Sequence, residues 1–372
     1  MGVANGWSRS PVRAVSPEST NLGAMLAKQI EASGPISVAE FMRAANQAYY
    51  AKGDPLGVQG DFITAPEISQ MFGELVGLWL TDFWIRAGRP EGCAYVELGP
   101  GRGTLAVDAL RSMRQFGFEP DILFVETSEH LRMLQAQAVP KARFAESIDE
   151  LPYDKPLLVV ANEFFDALPV RQLVSTHAGW RERVIVRDRG AKFMATPGPH
   201  AMDEMVPAEF RNAPSPTIYE TCPAASSMMY ELAGRISSQG GGMLIADYGY
   251  TMPGIGNTLQ AVKGHKSADP FENPGNHDLT AHVNFVELAN LARMRHLRVS
   301  GPTEQGGWLK ALGIEARSAA LIASQPQMAD EIAAAQDRLL EPAGMGSLFK
   351  VLGVSHPDWP EPEGFEINQS LG

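Results

Sequence analysis

A short apolar run that ends in a carboxylate, followed by glycine at every second position, constrains this chain more than any other feature. The segment reads Tyr95-Val96-Glu97-Leu98-Gly99-Pro100-Gly101-Arg102-Gly103-Thr104-Leu105. It predicts a buried strand, a tight loop whose backbone approaches a ligand, and a helix N-terminus. A dinucleotide fingerprint, Gly-x-Gly-x-x-Gly, would need its third glycine where this chain has Thr104. The pattern present, acid-x-Gly-x-Gly-x-Gly, suits a cofactor with no pyrophosphate to seat on the helix end. S-adenosylmethionine is such a cofactor, and its ammonium can pair with an acid at the strand end.

A second apolar run, Asp121-Ile122-Leu123-Phe124-Val125-Glu126, also ends in an acid, about 20 residues beyond the glycines. An acid at that offset accepts hydrogen bonds from both ribose hydroxyls of an adenosine in nucleotide-binding α/β folds. Strands are expected near 94–98, 121–126, 142–145 and 157–161, with helices near 104–115 and 129–138 between them. Such alternation implies crossover helices and a mostly parallel, doubly wound sheet.

Upstream, residues 21–33 read as a helix, and Ser37 with Glu40 forms a capping box for a second helix carrying Val38, Phe41 and Met42. Residues 53–66 are loop-like. Ile68, Met71, Phe72, Leu75, Val76, Trp79, Leu80 and Phe83 recur at helical spacing, and Gly73 and Gly77 leave room for a close neighbour. Beyond Leu168, antiparallel strands are expected at 173–176 and 181–186, then a Pro-rich, helix-poor stretch to Pro223. A helix near 225–238 and a strand at 243–246 resume the alternation. A helix over 283–295, capped by Thr280 or Asp278, one or two helices within 318–340 and a strand at 347–354 complete the chain. The plan is a flexible leader 1–20, a helical extension 21–90, a main α/β domain 91–355 with an inserted lid or subdomain at about 170–224, and a tail 356–372.

The net charge of −12 argues against a nucleic-acid partner and suits a cationic target. No apolar stretch reaches membrane-spanning length, so no membrane insertion is expected. Two cysteines, Cys93 and Cys222, stand far apart without metal-ligand neighbours, which suggests neither a disulfide framework nor a metal site. A cytoplasmic protein is expected, or a mitochondrial matrix protein if the source is eukaryotic. A homodimer is compatible with this reading.

The third informative segment runs from Leu157 through Asn162-Glu163-Phe164-Phe165-Asp166-Ala167-Leu168-Pro169. An apolar strand brings Asn162 and Glu163 to the edge where open α/β sheets place their sites. Methyl transfer needs an aligned nucleophile and exclusion of water rather than covalent help. For an arginine acceptor, carboxylates grip the planar guanidinium and a base removes a proton. Glu163 and Asp166 are the candidates for that grip, against the alternative that acids simply favour a helix N-terminus. Asp247 and Tyr248 should lie at the same sheet edge, and His282 is a candidate base.

The ordered set Gly60-Asp61-Phe62-Ile63-Thr64-Ala65-Pro66-Glu67, Phe72-Gly73-Glu74, Glu97 to Gly103, Asn162 to Pro169 and Asp278 to Phe285 resembles the MidA family, over roughly residues 20 to 355. The mitochondrial member of that family is an assembly factor of respiratory complex I. The resemblance implies a class I, Rossmann-like methyltransferase fold, S-adenosylmethionine as donor, and symmetric dimethylation of arginine in a complex I subunit. Carried over by position, Glu97, Gly99, Gly101 and Gly103 would line the methionine part of the donor. Glu126 would take the ribose, Ser147 would face the adenine, and Asn162 would border the donor. Phe62 and Thr64 would close over the acceptor, with Asp247 and Tyr248 nearby. Small-molecule methylation, or an assembly chaperone that binds the donor without catalysis, are the alternatives.

Overall fold

The computed structural model describes residues 22–51, 64–188, 192–263 and 266–365. Its frame is a sheet built from β1 (Ala94–Leu98), β2 (Asp121–Val125), β3 (Arg143–Ala145), β4 (Leu157–Asn162), β5 (Gly241–Tyr250), β6 (Arg298–Glu304) and β7 (Phe349–Ser355). The strands lie in the order β3-β2-β1-β4-β5-β7-β6. β1 to β5 are parallel, and β7 runs antiparallel to both β5 and β6. The direction of winding reverses between β1 and β4, so their carboxyl ends flank the crevice where such sheets take ligands.

Alternate side chains of a strand face opposite layers. Tyr95, Leu158 and Val160 enter the core that holds Phe72 and Val76 of helix Gln70–Arg86 and Leu105 and Ala109 of helix Thr104–Arg114. Val96, Leu98, Val159 and Ala161 enter the core that holds Leu232 of helix Pro223–Gln239 and Leu288 of helix Phe285–Met294. Burial on both faces is why these strands read as unbroken apolar runs.

Helix Gln70–Arg86 realises the aromatic-rich stripe, with Ser69 accepting from the Met71 N–H at 3.2 Å as its cap. A Cβ on Gly77 would stand 2.4 Å from the Ala109 carbonyl oxygen, and one on Gly73 2.7 Å from the Asp108 Cβ. The two glycines therefore let this helix lie directly on Thr104–Arg114, the helix that follows the glycine loop.

The capping box is present. The Ser37 N–H donates to Glu40 Oε2 at 2.8 Å and the Glu40 N–H to Ser37 Oγ at 3.1 Å, which starts helix Val38–Ala51. Val38, Phe41, Met42 and Ala45, spaced for one face, pack with Val170, Ile185 and Leu279. Ile36 and Ser37 pair with Ile185 and Val184, which lie in the strand Gly179–Arg187. That strand also pairs antiparallel with Arg171–Thr176 and Phe193–Ala201. The amino-terminal helices and these antiparallel strands thus build one shared layer.

One reading of the sequence needs correction, and two strands go unread in it. Asp278–Thr280 is a strand, not a cap, and pairs with Gln260–Lys263. The cap of helix Phe285–Met294 is Asn284, whose Oδ1 accepts from the Glu287 N–H at 3.1 Å, because Val283–Asn284 is held as a strand beside Gly249 and Tyr250. β6 has no clear sequence signal because Gly301 and Pro302 interrupt its pattern; its partner β7 supplies the hydrogen bonds, with a register shift there. Pro197, Gly198 and Pro199 mask strand Phe193–Ala201 in the same way.

Gly77→Val forces apart two helices in backbone contact and should cost about 3 kcal/mol. Gly307→Ala, at an exposed helical position with open space around it, should instead stabilise by about 0.4–1 kcal/mol. Urea unfolding midpoints of the two variants check this pair.

Candidate active site

The site begins at the end of β1. Gly99 continues the ladder, donating to the Val125 carbonyl at 3.0 Å, and the chain then turns through Gly99, Gly101 and Gly103 at φ of 58°, 56° and 83°. All three are left-handed, a conformation that only glycine adopts without strain. Gly103 is the N-cap of the following helix and offers no side chain there, so the first N–H groups stay open to a ligand. A Cβ on Gly99 would meet Phe164 Cδ2 at 2.8 Å, which ties the glycine loop to the segment after β4. Thr104 braces the loop from the other side. Its hydroxyl donates to Glu67 Oε1 at 2.6 Å, and Arg102 pairs with the same carboxylate at 3.8 Å.

Glu97 is 3% exposed. The Tyr95 hydroxyl, two residues back on the same strand face, donates to its Oε2 at 2.5 Å. Burial pushes this carboxyl up to about 8, with the Tyr95 bond acting in the opposite sense. A desolvated acid beside a glycine cradle fits the ammonium of an amino-acid-like ligand, whose charge would offset the cost of burial.

Glu126 sits one residue past β2. Its Oε1 accepts from the Ser128 N–H at 2.8 Å and its Oε2 from Gln135 Nε2 at 3.2 Å. Gln135, wholly buried on helix Glu129–Ala138, also donates to the Gly101 carbonyl at 2.7 Å. It joins the two halves of the cradle; a single inward-facing amide gives no signal for that in the sequence. Ser147, half-buried, follows β3 and heads the short 3₁₀ turn Ile148–Glu150.

At the end of β4 the backbone is bent sharply. Glu163 holds φ at 49°, a left-handed value uncommon for a side chain of its kind. Its N–H donates to the Ala246 carbonyl at 2.9 Å, while its Oε1 accepts from the Ala65 N–H at 2.9 Å and from Asn162 Nδ2 at 3.3 Å. Burial, and then the charge of Asp166, push its carboxyl up to about 8. Asp166, 6% exposed, is pushed up to about 6 by burial, with the Tyr248 hydroxyl beside it acting against the shift.

Asp247 lies at the expected sheet edge, with its carboxylate engaged by the backbone. It is fully buried, and its Oδ2 accepts from the N–H groups of Phe164, Phe165 and Asp166 at 3.1, 2.9 and 3.2 Å. Its other oxygen accepts from the Tyr248 N–H at 2.9 Å. With both oxygens engaged in this way, Asp247 positions the loop that carries Glu163 and Asp166. Tyr248 lies between that loop and His282, whose ring it meets edge-on at 5.5 Å. His282 lines a small cavity with Glu220, Cys222, Tyr250 and Glu287, and burial holds its imidazole below the ordinary range. Thr64 caps the one-turn helix Ala65–Ile68 through its backbone carbonyl, next to the Ala65 N–H that reaches Glu163. Phe62 and the first residues of its motif lie outside the described residues.

This geometry can be set against known proteins. Residues 75–303 match the family described as "Putative S-adenosyl-L-methionine-dependent methyltransferase". The chain belongs to this family. It is an S-adenosylmethionine-dependent methyltransferase, and its strand order with an antiparallel β7 is the class I arrangement. It is similar to the mitochondrial protein arginine methyltransferase NDUFAF7 of Mus musculus, at 37% identity over 86% of this chain and 81% of that one. The Danio rerio protein of that name is 34% identical, over 94% and 90% of the two chains. Among solved structures, a Burkholderia thailandensis protein crystallised with S-adenosyl-homocysteine superposes with a TM-score of 0.81 at 25% identity, covering 95% of this chain and 97% of that one.

The methyltransferase cradle implies a sign for its pH dependence. A carboxyl raised by folding favours the native state below the unfolded value near 4.5, and that advantage is lost as pH rises toward 8. Glu97→Gln, neutral at every pH, should therefore gain stability relative to the parent on going from pH 5 to pH 8. The gain is at most on the order of 1.4 kcal/mol per pH unit. Melting temperatures of the donor-free pair at both pH values measure it.

Proposed function

We propose that this methyltransferase modifies arginine side chains of a protein. The observation that carries the reading is the pair of carboxyls after β4, half-buried Glu163 and buried Asp166, fixed beside the glycine cradle with no ion pair among the described residues, the charge of Arg338 being the smallest influence on Glu163. An acceptor that brings a permanent planar cation satisfies such a pair, and guanidinium matches carboxylates two hydrogen bonds at a time. The similarity to enzymes named as protein arginine methyltransferases supports the same acceptor. The net charge of −12 favours a basic partner.

In this reading Glu97 takes the ammonium of the donor, Gly99, Gly101 and Gly103 let the backbone approach it, Glu126 takes the ribose, and Ser147 and Asn162 border the remainder. The bound donor supplies an electrophilic methyl group on a sulfonium. The chain does the rest by position: Glu163 orients the acceptor nitrogen, Asp166 stands ready for the released proton, and Asp247 holds both in place. His282 supports Tyr248 from behind. Thr64 would stand toward the acceptor, and the family resemblance gives Phe62 the same role. The family resemblance makes a complex I subunit the acceptor to test first, and symmetric dimethylation the product.

Pure protein incubated with methyl-labelled donor and cell lysate should label a protein band, and Glu163→Gln should lower that rate about 100-fold or more. Label confined to the low-molecular-weight fraction would move the assignment to a small-molecule acceptor. Calorimetric titration should show S-adenosylhomocysteine binding and none of NAD, and Glu126→Ala should weaken the former about tenfold, or 1.4 kcal/mol. Firm binding with no labelled product would leave a donor-binding assembly factor.

A further inference from the structure

Helix Val38–Ala51 ends against the active site and sends two polar side chains toward it. Asn46 and Tyr50, four residues apart, lie on one face of the helix. Asn46 Nδ2 donates to the Ala167 carbonyl at 3.0 Å and to the Leu279 carbonyl at 2.8 Å, and its Oδ1 accepts from the Leu279 N–H at 2.9 Å. Ala167 and Leu279 are the residues that follow Asp166 and Asp278. The Ala281 N–H donates in turn to the Asp166 carbonyl at 3.0 Å. One buried amide therefore sets the spacing of the two segments that carry Asp166 and Asp278. A turn later, the Tyr50 hydroxyl donates to Asp278 Oδ2 at 2.8 Å.

We infer that Asp278 and Tyr50 complete the acceptor pocket, forming with Asp166 and Tyr248 a box of two carboxylates and two phenols that binds a guanidinium group. The inference rests on the arginine reading above. Asp166 is the decisive group: it is 6% exposed, and its Oδ1 has no hydrogen-bond partner. An unsatisfied buried carboxylate oxygen is costly and calls for a donor from outside the chain. Its charge raises the hydroxyls of both Tyr50 and Tyr248, so it lies near both phenols. Asp278, 4% exposed, accepts from the Tyr50 hydroxyl. A flat group with five N–H donors can bond carboxylates at opposite edges at once, whereas a compact ammonium cannot span them. The Tyr50 carbonyl accepts from Ser128 Oγ at 3.2 Å, two residues past Glu126, so the same helix end touches the donor side. Asn46 acts as a positioning residue for the pair.

Ethylguanidinium, titrated into the protein saturated with S-adenosylhomocysteine and followed by NMR or calorimetry, tests this directly. The parent protein should bind it at least tenfold more tightly than butylammonium. Asp278→Asn should weaken ethylguanidinium about tenfold, and Tyr50→Phe about threefold, with affinity for S-adenosylhomocysteine unchanged in both. If Asp278→Asn fails to bind S-adenosylhomocysteine and so to fold, Tyr50→Phe decides alone. Unaltered ethylguanidinium binding in the folded variants, or equal affinity for the two cations in the parent, overturns the box. A protein that methylates arginine while these variants keep the parental KM loses only this inference. A protein that transfers no methyl group to arginine loses the parent reading as well.

Discussion

One carboxylate, that of Asp247, organises the catalytic edge of the sheet. It lies near the end of β5, wholly removed from water, and three successive N–H groups after β4 converge on one of its oxygens. Those N–H groups would otherwise be unpaired donors, because the chain leaves the ladder at Glu163 and turns through a left-handed conformation. The turn sets Phe164 against Gly99, so the glycine loop and the segment after β4 share a contact. It also brings Asp166 to face the strand that carries Asp278. Without this anchor the three strand ends would still converge, but their side chains would have no common geometry.

The second theme is charge held away from water. Glu97 and Glu163 are pushed up to about 8 by burial, and Asp166 to about 6. Carboxyls in that state are poorly served by the empty protein, which is the reverse of what stability alone would select. A cationic ligand would change that balance, and the function proposed above places an ammonium at Glu97 and a guanidinium at Glu163 and Asp166. By contrast Glu74, buried between Arg111 and Arg317 at 2.9 and 2.7 Å, is held below the usual range by those cations and ties three helices together. The same residue type thus serves architecture where it is paired and awaits a ligand where it is not.

Much of the frame was legible because it obeys short-range rules. β1 to β4, the helices between them, the capping box at Ser37 and the close approach at Gly73 and Gly77 all follow from local pattern and propensity. Elements with weak or interrupted patterns were not legible: β6 with its Gly301-Pro302 break, the Pro-containing strand Phe193–Ala201, and Asp278–Thr280, whose polar ends suggested a cap. Their hydrogen bonds come from strands distant in sequence, and nothing local announces the partner.

The order of residues along the chain sufficed to place Glu97, the three glycines and Glu126 on one cradle, since each stands at the end of its own buried strand and parallel sheets align those ends. It could not distinguish a carboxylate that meets a ligand from one that braces the backbone. Asp166 and Asp247 look alike in sequence, yet one has an oxygen without a partner and the other accepts four N–H groups. Nor could it show that Asn46, more than a hundred residues before Ala167, measures the distance between two acids. Such roles depend on contacts between segments far apart in the chain, and only the packed tertiary structure brings those segments together.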